Sequence, residues 1–552
     1  NGGLVLSDDM DGDPVGLSVG DGANSTGSVL VTGLEPNSGT HSTLEVDYGA
    51  TIVGNNGNGT LTVANGGYAN IAGNDDNEVS LYIGNDTNAT GSVTVTGVAN
   101  ITGDFHESEL DVYNDGLEVG YNGTGTLTVA NGGYVDLEGS DSYQDGITLG
   151  YNAGSAGNVT VTGVEPDSGY ASELDVNDGT TVVGGYGNGS LTISNGGLVY
   201  SSGDDSNASA YVGAGNTSVG TALVTDPGSI WDVGTGGSYS LVVGLDGTGN
   251  LTVANGGNVT IEGYDDNYDA ALFVGQNSGS NGSILVTGAN SLLDIVPDTG
   301  SAIIGLNGTG SLTVANGGYM NDESSDGNVA MYIGYDSGST GTVSVADVAN
   351  VSGNLYESEL DFSNGTVVVG GSGNGTLIVS NGGYVYSNDQ NGDEVSLSIG
   401  DGPGSYGNVT VTGVDPDFGF NSTLEVDNGA TVVGYDGTGS LTVSNGGYAN
   451  ISGYDSSAVG LYLGYDSVGN GSVTVTGEDT ISGDASKLDV NSGAMVVGSD
   501  GNGTLTVSNG GMVNLNSSDE NGIGLYLGQN AGSNGGVLVT GVNSDSQSGD
   551  RK

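Results

Sequence analysis

Apolar and polar residues alternate along this chain in short runs, such as LTV at 61–63, LYIG at 81–84 and VTVT at 93–96. A period of two over a few residues is the pattern of a half-buried β-strand. In Gly59-Thr60-Leu61-Thr62-Val63 it turns Leu61 and Val63 inward and leaves Thr60 and Thr62 outside. Val93 and Val95 form the inward pair of the next such run. Leu81 and Ile83 form that of LYIG, with Tyr82 on the outer face. A helix is excluded, because β-branched residues dominate these runs and glycine interrupts them every few positions.

The runs recur. Asn-Gly-Gly stands at Asn1, Asn65, Asn131, Asn195, Asn255, Asn316, Asn381, Asn445 and Asn509, at spacings of 60 to 66 residues. Each interval divides again, into halves such as TVVGGYGNGSLTISNGGLVY (181–200) and LYIGNDTNATGSVTVTGVAN (81–100). Both halves follow one template: an apolar pair, a glycine, a polar glycine-rich turn, an alternating strand and another glycine. One half, about 32 residues, makes one coil of three short strands, so about 8.5 repeats of about 64 residues give about 17 coils. The expected fold is all-β, a parallel β-helix (β-solenoid). A single repeat domain fills 1–541 and a polar tail follows at 542–552. Glycine at the corners supplies the positive φ of the bends.

Composition sharpens this picture. With 110 Gly and 7 Pro the chain is neither collagen-like nor a proline-rich linker, and its patterned 35% of hydrophobic residues argues against disorder. Three Lys and Arg stand against 66 Asp and Glu, a formal charge of −63. Nucleic acid and anionic membranes are thereby excluded as direct partners, whereas cations, cationic partners and neutral glycans fit. At about 4.8 Å per coil the stack extends about 80 Å, which packs the charges more densely than the one per ~1.7 Å of duplex DNA. Such a surface gathers counterions. Cysteine is absent, so the fold holds without disulfides, and no apolar run reaches the roughly 18 residues of a membrane helix. The first residue is Asn1, which suggests a processed form of an exported chain.

The alternation of VGYNGTGTLTVANGGY (119–134) with IGYDSGSTGTVSVADVAN (333–350) resembles the type V secretion and PEP-CTERM-associated repeat of autotransporter passenger domains and exported bacterial proteins. The resemblance covers about 1–541. It implies a right-handed β-helix at the cell surface or beyond and implies no activity. Neither an outer-membrane barrel nor a hydrophobic sorting tail accompanies the repeats.

Enzymatic chemistry finds little support. A lyase acting on acidic sugars needs basic residues, and Lys487 is the only one before Arg551 and Lys552. A glycoside hydrolase needs two carboxylates set apart from the rest, whereas here carboxylates recur in every repeat. His41 and His106 lie in similar loops without a Ser or Cys motif beside them. The acidic loops ahead of the LYIG-type strands are the candidate cation sites: Asp9, Asp11 and Asp13; Asp75, Asp76 and Glu78; Asp204 and Asp205; Asp265, Asp266 and Asp269; Asp389 and Asp393. Their oxygen ligands suit Ca2+, with a solvated acidic face as the alternative. A second acidic column, Glu45, Asp111, Asp175, Asp232, Asp294, Asp361, Glu425 and Asp489, recurs every two coils, about 9.6 Å apart.

Outward Thr residues such as Thr62, Thr94 and Thr128 form a column that leucines interrupt, which disfavours an ice-binding face. Tyr columns, at Tyr82, Tyr211 and Tyr332 and at Tyr68, Tyr134 and Tyr319, suit either glycan stacking or a cover over glycine-rich backbone. Asn-x-Ser/Thr recurs, at Asn58, Asn122, Asn188 and Asn307, as this composition produces by itself. The chain opens and closes inside the repeat, so open strand edges predict end-to-end self-association, possible lateral contact and filaments. The expected function is that of an extracellular structural protein, and the alternative is an adhesin passenger; no catalytic role is expected.

Overall fold

A computed structural model describes residues 2–8, 15–73, 79–114, 116–139, 146–177, 179–203, 208–234, 241–262, 271–296, 300–323, 329–363, 365–388, 395–453, 459–516 and 524–541. The chain is an all-β, right-handed parallel β-helix of about 15–17 coils. It divides into two compact units, Asn1–Leu272 with Gly279–Ser283, and Phe273–Ser278 with Ile284–Lys552.

Each coil contributes one strand to each of three parallel sheets. The coil beginning at Thr43 is typical: Thr43–Asp47, then Ala50–Val53, then the seven-residue Asn58–Ala64. We call these the acidic, the short-strand and the long-strand sheets. Alternation places the apolar side chains inside, as expected: Leu61, Val63, Leu81, Ile83, Val93 and Val95 are all buried. In register they stack as Leu61 on Val93 on Leu127 and Val63 on Val95 on Val129. One coil of the first unit departs from the aliphatic pattern. Trp231 lies wholly inside, its indole N–H donating to Ser201 Oγ at 3.1 Å. Ala222 sits between Leu191 and Leu251, and Ala210 precedes Leu241.

The corners explain the most regular letters of the repeat. Gly84 has φ +76°, and a Cβ there would overlap the Thr124 carbonyl of the next coil. In Asn-Gly-Gly the asparagine itself is left-handed, with φ 52° at Asn131 and 50° at Asn445. Asn can adopt this conformation because its short amide bonds locally. The Asn445 amide donates to Thr412 Oγ1 of the preceding coil at 3.2 Å. The following Gly446 N–H donates to Ser486 Oγ of the next coil at 3.1 Å, and Ser486 donates to the Thr476 carbonyl at 2.9 Å. The same clip joins Gly132 to Ser172 in the first unit. These serines are fully buried, so the hydroxyl satisfies backbone groups that water cannot reach.

Candidate functional site

The acidic sheet gathers most of the residues that could carry chemistry. In the second unit its central outward column reads Asp294, Asn321, Asp361, Tyr386, Glu425, Asn450, Asp489 and Asn514 on successive coils. In the first it reads Glu45, Asn70, Asp111, Asp136, Asp175, Tyr200, Asp232 and Thr260. The expected acidic column is present, with a neutral donor on most of the intervening rungs. Asp136 is the exception: it sets carboxylates on three adjacent rungs.

The carboxylates and tyrosines that the sequence shows as separate columns bond to one another. Tyr68 donates to Asp111 at 2.7 Å, Tyr384 to Glu425 at 2.7 Å and Tyr448 to Asp489 at 3.0 Å, each from the preceding coil. Asparagines of the following coil donate as well, Asn450 to Glu425 at 2.9 Å and Asn514 to Asp489 at 2.8 Å. Glu425 and Asp489 are therefore held from both sides along the stack. Burial raises Asp111 despite its two phenol donors, and lifts Glu109 to about 7, helped by the nearby Asp111 and Glu107. At Asp489 burial pushes upward too, but bonds from Lys487, Asn514 and Tyr448 outweigh it and hold the carboxyl below its ordinary range. Lys487 Nζ lies 2.5 Å from Asp489 Oδ2 and 5.2 Å from the centre of the Tyr448 ring.

A second set of acids turns inward on its own loop. Glu35, Glu165, Asp415 and Asp479 each accept from the backbone N–H groups two and three residues on, as in Asp479 with Ile481 at 2.8 Å and Ser482 at 2.6 Å. The Ser38 side chain and then these backbone bonds lower the carboxyl of Glu35, and the backbone bonds foremost lower those of Glu165 and Asp479. Each cap closes a short antiparallel turn between the long-strand and acidic sheets.

Tyrosines in the strands of the short-strand sheet and in the turns just after them pack on one another. Tyr121 lies edge-on to Tyr82 at 5.1 Å and stacks on Tyr151 at 5.0 Å; in the second unit Tyr435 stacks on Tyr465 at 4.8 Å. Outward positions of this sheet such as Ile52, Val242, Val432 and Val496 are buried as well. Glu118 occupies the same column between Tyr82 and Thr148 and is 6% exposed. Burial raises its carboxyl well above the ordinary range. On the long-strand sheet the Thr column aligns as expected and breaks at Leu30, Leu223 and Ile378.

The candidate cation ligands Asp9, Asp11, Asp13, Asp75, Asp76, Glu78, Asp204, Asp205, Asp265, Asp266, Asp269, Asp389 and Asp393 lie outside the described residues. Among the described residues no group of three or more His, Asp or Glu is placed to hold a metal ion. His41 and His106 meet edge to face at 5.6 Å, and a His41 ring nitrogen lies 2.9 Å from the Gly66 carbonyl oxygen. One cavity of about 400 Å³ opens on the acidic sheet of the first unit, lined by Glu173, Asp175, Tyr200, Ser202, Asp232 and Glu262 among others.

No family model matches the chain. No curated protein matches it either. Among solved structures, the crystal structure of a TibC-catalysed hyper-glycosylated TibA fragment is similar at 14% identity and a TM-score of 0.28, over 95% of this chain and 96% of that one.

Proposed function

We propose that this chain is an extracellular structural protein of a bacterial cell surface or matrix, a β-helical scaffold that joins end to end and holds cations in its acidic loops. One observation carries the reading: the recurrent carboxylates, phenols and amides of the acidic sheet bond across coils, as in Tyr384–Glu425–Asn450. Polar residues used to hold coils together belong to a scaffold, and side chains so committed are not poised for catalysis. The charge of −63 supports the cations, since a surface so charged resists close assembly until counterions neutralise it. The motif resemblance to exported repeats favours a second reading, an adhesin passenger that presents a glycan-binding face. Electron microscopy of the purified chain, in millimolar calcium and in chelator, separates them. Filaments that form with calcium and disperse in chelator are the expected result. Single particles in both conditions refute the polymer and turn attention to a ligand.

A further inference from the structure

Each coil holds the next by hydrogen bonds and packing, and a stack joined in that way opens locally. The common covalent staples are missing. The chain has no cysteine for a disulfide, and Lys487 is its only side-chain amine before Lys552. Tyrosine, present 28 times, is the abundant side chain that one-electron oxidation can join carbon to carbon.

Two pairs are placed for such a bond. Tyr121 and Tyr151 stand at the same point of successive coils, in the turns after Leu117–Val119 and Ile147–Leu149. The Tyr151 N–H donates to the Gly120 carbonyl at 3.0 Å, which fixes the two backbones one rung apart. Their rings stack at 5.0 Å with 28° between the planes. The second unit repeats the arrangement at Tyr435 and Tyr465. There the Tyr465 N–H donates to the Gly434 carbonyl at 3.0 Å, and the rings stack at 4.8 Å with 25° between the planes. A third tyrosine meets each pair edge-on, Tyr82 against Tyr121 at 5.1 Å and Tyr462 against Tyr465 at 4.9 Å. All four paired side chains are partly exposed, so a small oxidant reaches them. The last torsion of tyrosine is broad, which lets the stacked rings turn until the carbons beside their hydroxyls meet.

We propose that Tyr121–Tyr151 and Tyr435–Tyr465 are oxidative cross-linking sites, where hydrogen peroxide acting through a peroxidase joins neighbouring coils as dityrosine. Each phenol O–H gives up one electron and one proton. The two radicals pair in a bond between the ring carbons beside the oxygens, and the hydrogen on each of those carbons passes to the oxygen. The peroxide takes up both electrons and both protons, its O–O bond breaks, and two waters leave. Both links lie within one chain, so they need neither polymer nor calcium. The test treats the dilute full chain with peroxide and peroxidase, folded and in urea that unfolds it. The monomer is then digested with pepsin for mass spectrometry. Peptides joining Tyr121 to Tyr151 and Tyr435 to Tyr465, lighter than their sum by two hydrogens, are expected at least tenfold more abundant from the folded chain. Tyr151→Phe abolishes the first link and keeps the second, which shows that the fold survives. Tyr406→Phe, at a tyrosine 62% exposed, keeps both. Equal yields from folded and unfolded chain overturn the proposal. So does the failure of either pair to link while Tyr406 is oxidised.

Discussion

Asn450 stands between Glu425 and Asp489 on the acidic sheet, donates to Glu425 at 2.9 Å and accepts from Asn491 at 2.5 Å. Asn450→Asp keeps the shape, removes the amide donor and puts carboxylates on three adjacent rungs. At a rung spacing of about 4.8 Å, each new like-charge pair costs between about 1 kcal/mol in water and about 3.5 kcal/mol at an effective dielectric of 20. Two such pairs predict a loss between about 2 and 7 kcal/mol at neutral pH. Asn450→Ala serves as the reference, since it loses the hydrogen bonds, worth about 1 kcal/mol each, without adding charge. Stacked coils can unfold in parts, so hydrogen exchange at the amides of 448–452 is a better probe than a single global midpoint. The aspartate variant should exchange much faster than the alanine variant at pH 7, and the gap should close near about pH 4, where carboxyls take up protons. Equal exchange in the two variants at pH 7, or a gap of the same size near pH 4, refutes the idea that alternation keeps charges apart.

Two further predictions test the buried clip and the raised carboxyls. In Ser422→Ala, Gly382 loses the acceptor that its N–H holds at 3.1 Å, and the Thr412 and Gly413 carbonyls lose their hydroxyl donor. About 1–3 kcal/mol of local stability should be lost, seen as roughly fivefold or more faster exchange of the Gly382 amide; an unchanged rate refutes the clip. Glu109, raised from 4.5 to about 7 first by burial and then by Asp111 and Glu107, keeps its proton in the folded chain at pH values where the unfolded chain has lost it. Its contribution is complete below about 4.5 and disappears as pH rises through 7. Screening of this half-exposed group limits the effect to about 1 kcal/mol. Glu109→Gln should flatten the fall in urea midpoint between pH 5 and 8, and an unaltered slope contradicts the assignment.

The sequence shows the coil and hides how one coil is joined to the next. Period-two alternation marks Leu61 and Val63 as core because inward and outward faces are local properties of a strand. The Tyr68–Asp111 bond spans 43 residues and depends on which coil lies above which, at a register that periodicity alone leaves open. Tyr and acid therefore appear as two columns with separate purposes, when Tyr68, Tyr384 and Tyr448 each donate to the acid of the next coil. Asp136 is hidden for a related reason, since it takes a place that asparagine or tyrosine fills elsewhere. The capping acids Glu35 and Asp479 had a local signal, an acid two and three residues before backbone N–H groups in a turn closed by glycine.

The doubled repeat then has an electrostatic reason. One coil of about 32 residues satisfies the backbone and the core, so packing alone gives no cause for a period of two coils. Carboxylates on every rung would stand about 4.8 Å apart, well inside the Debye length of about 8 Å at physiological salt. On alternate rungs they stand about 9.6 Å apart, just beyond it, and the intervening rung is free for a neutral donor. Asn450 and Asn514 fill that role beside Glu425 and Asp489. Where Asp136 breaks the alternation, Asp111, Asp136 and Asp175 are all raised, burial first in each case, with charge repulsion between neighbours adding to it at Asp111 and Asp175. A chain of this charge can thus stack its coils with hardly any basic partners because neutral donors and spacing limit the repulsion along the acidic sheet.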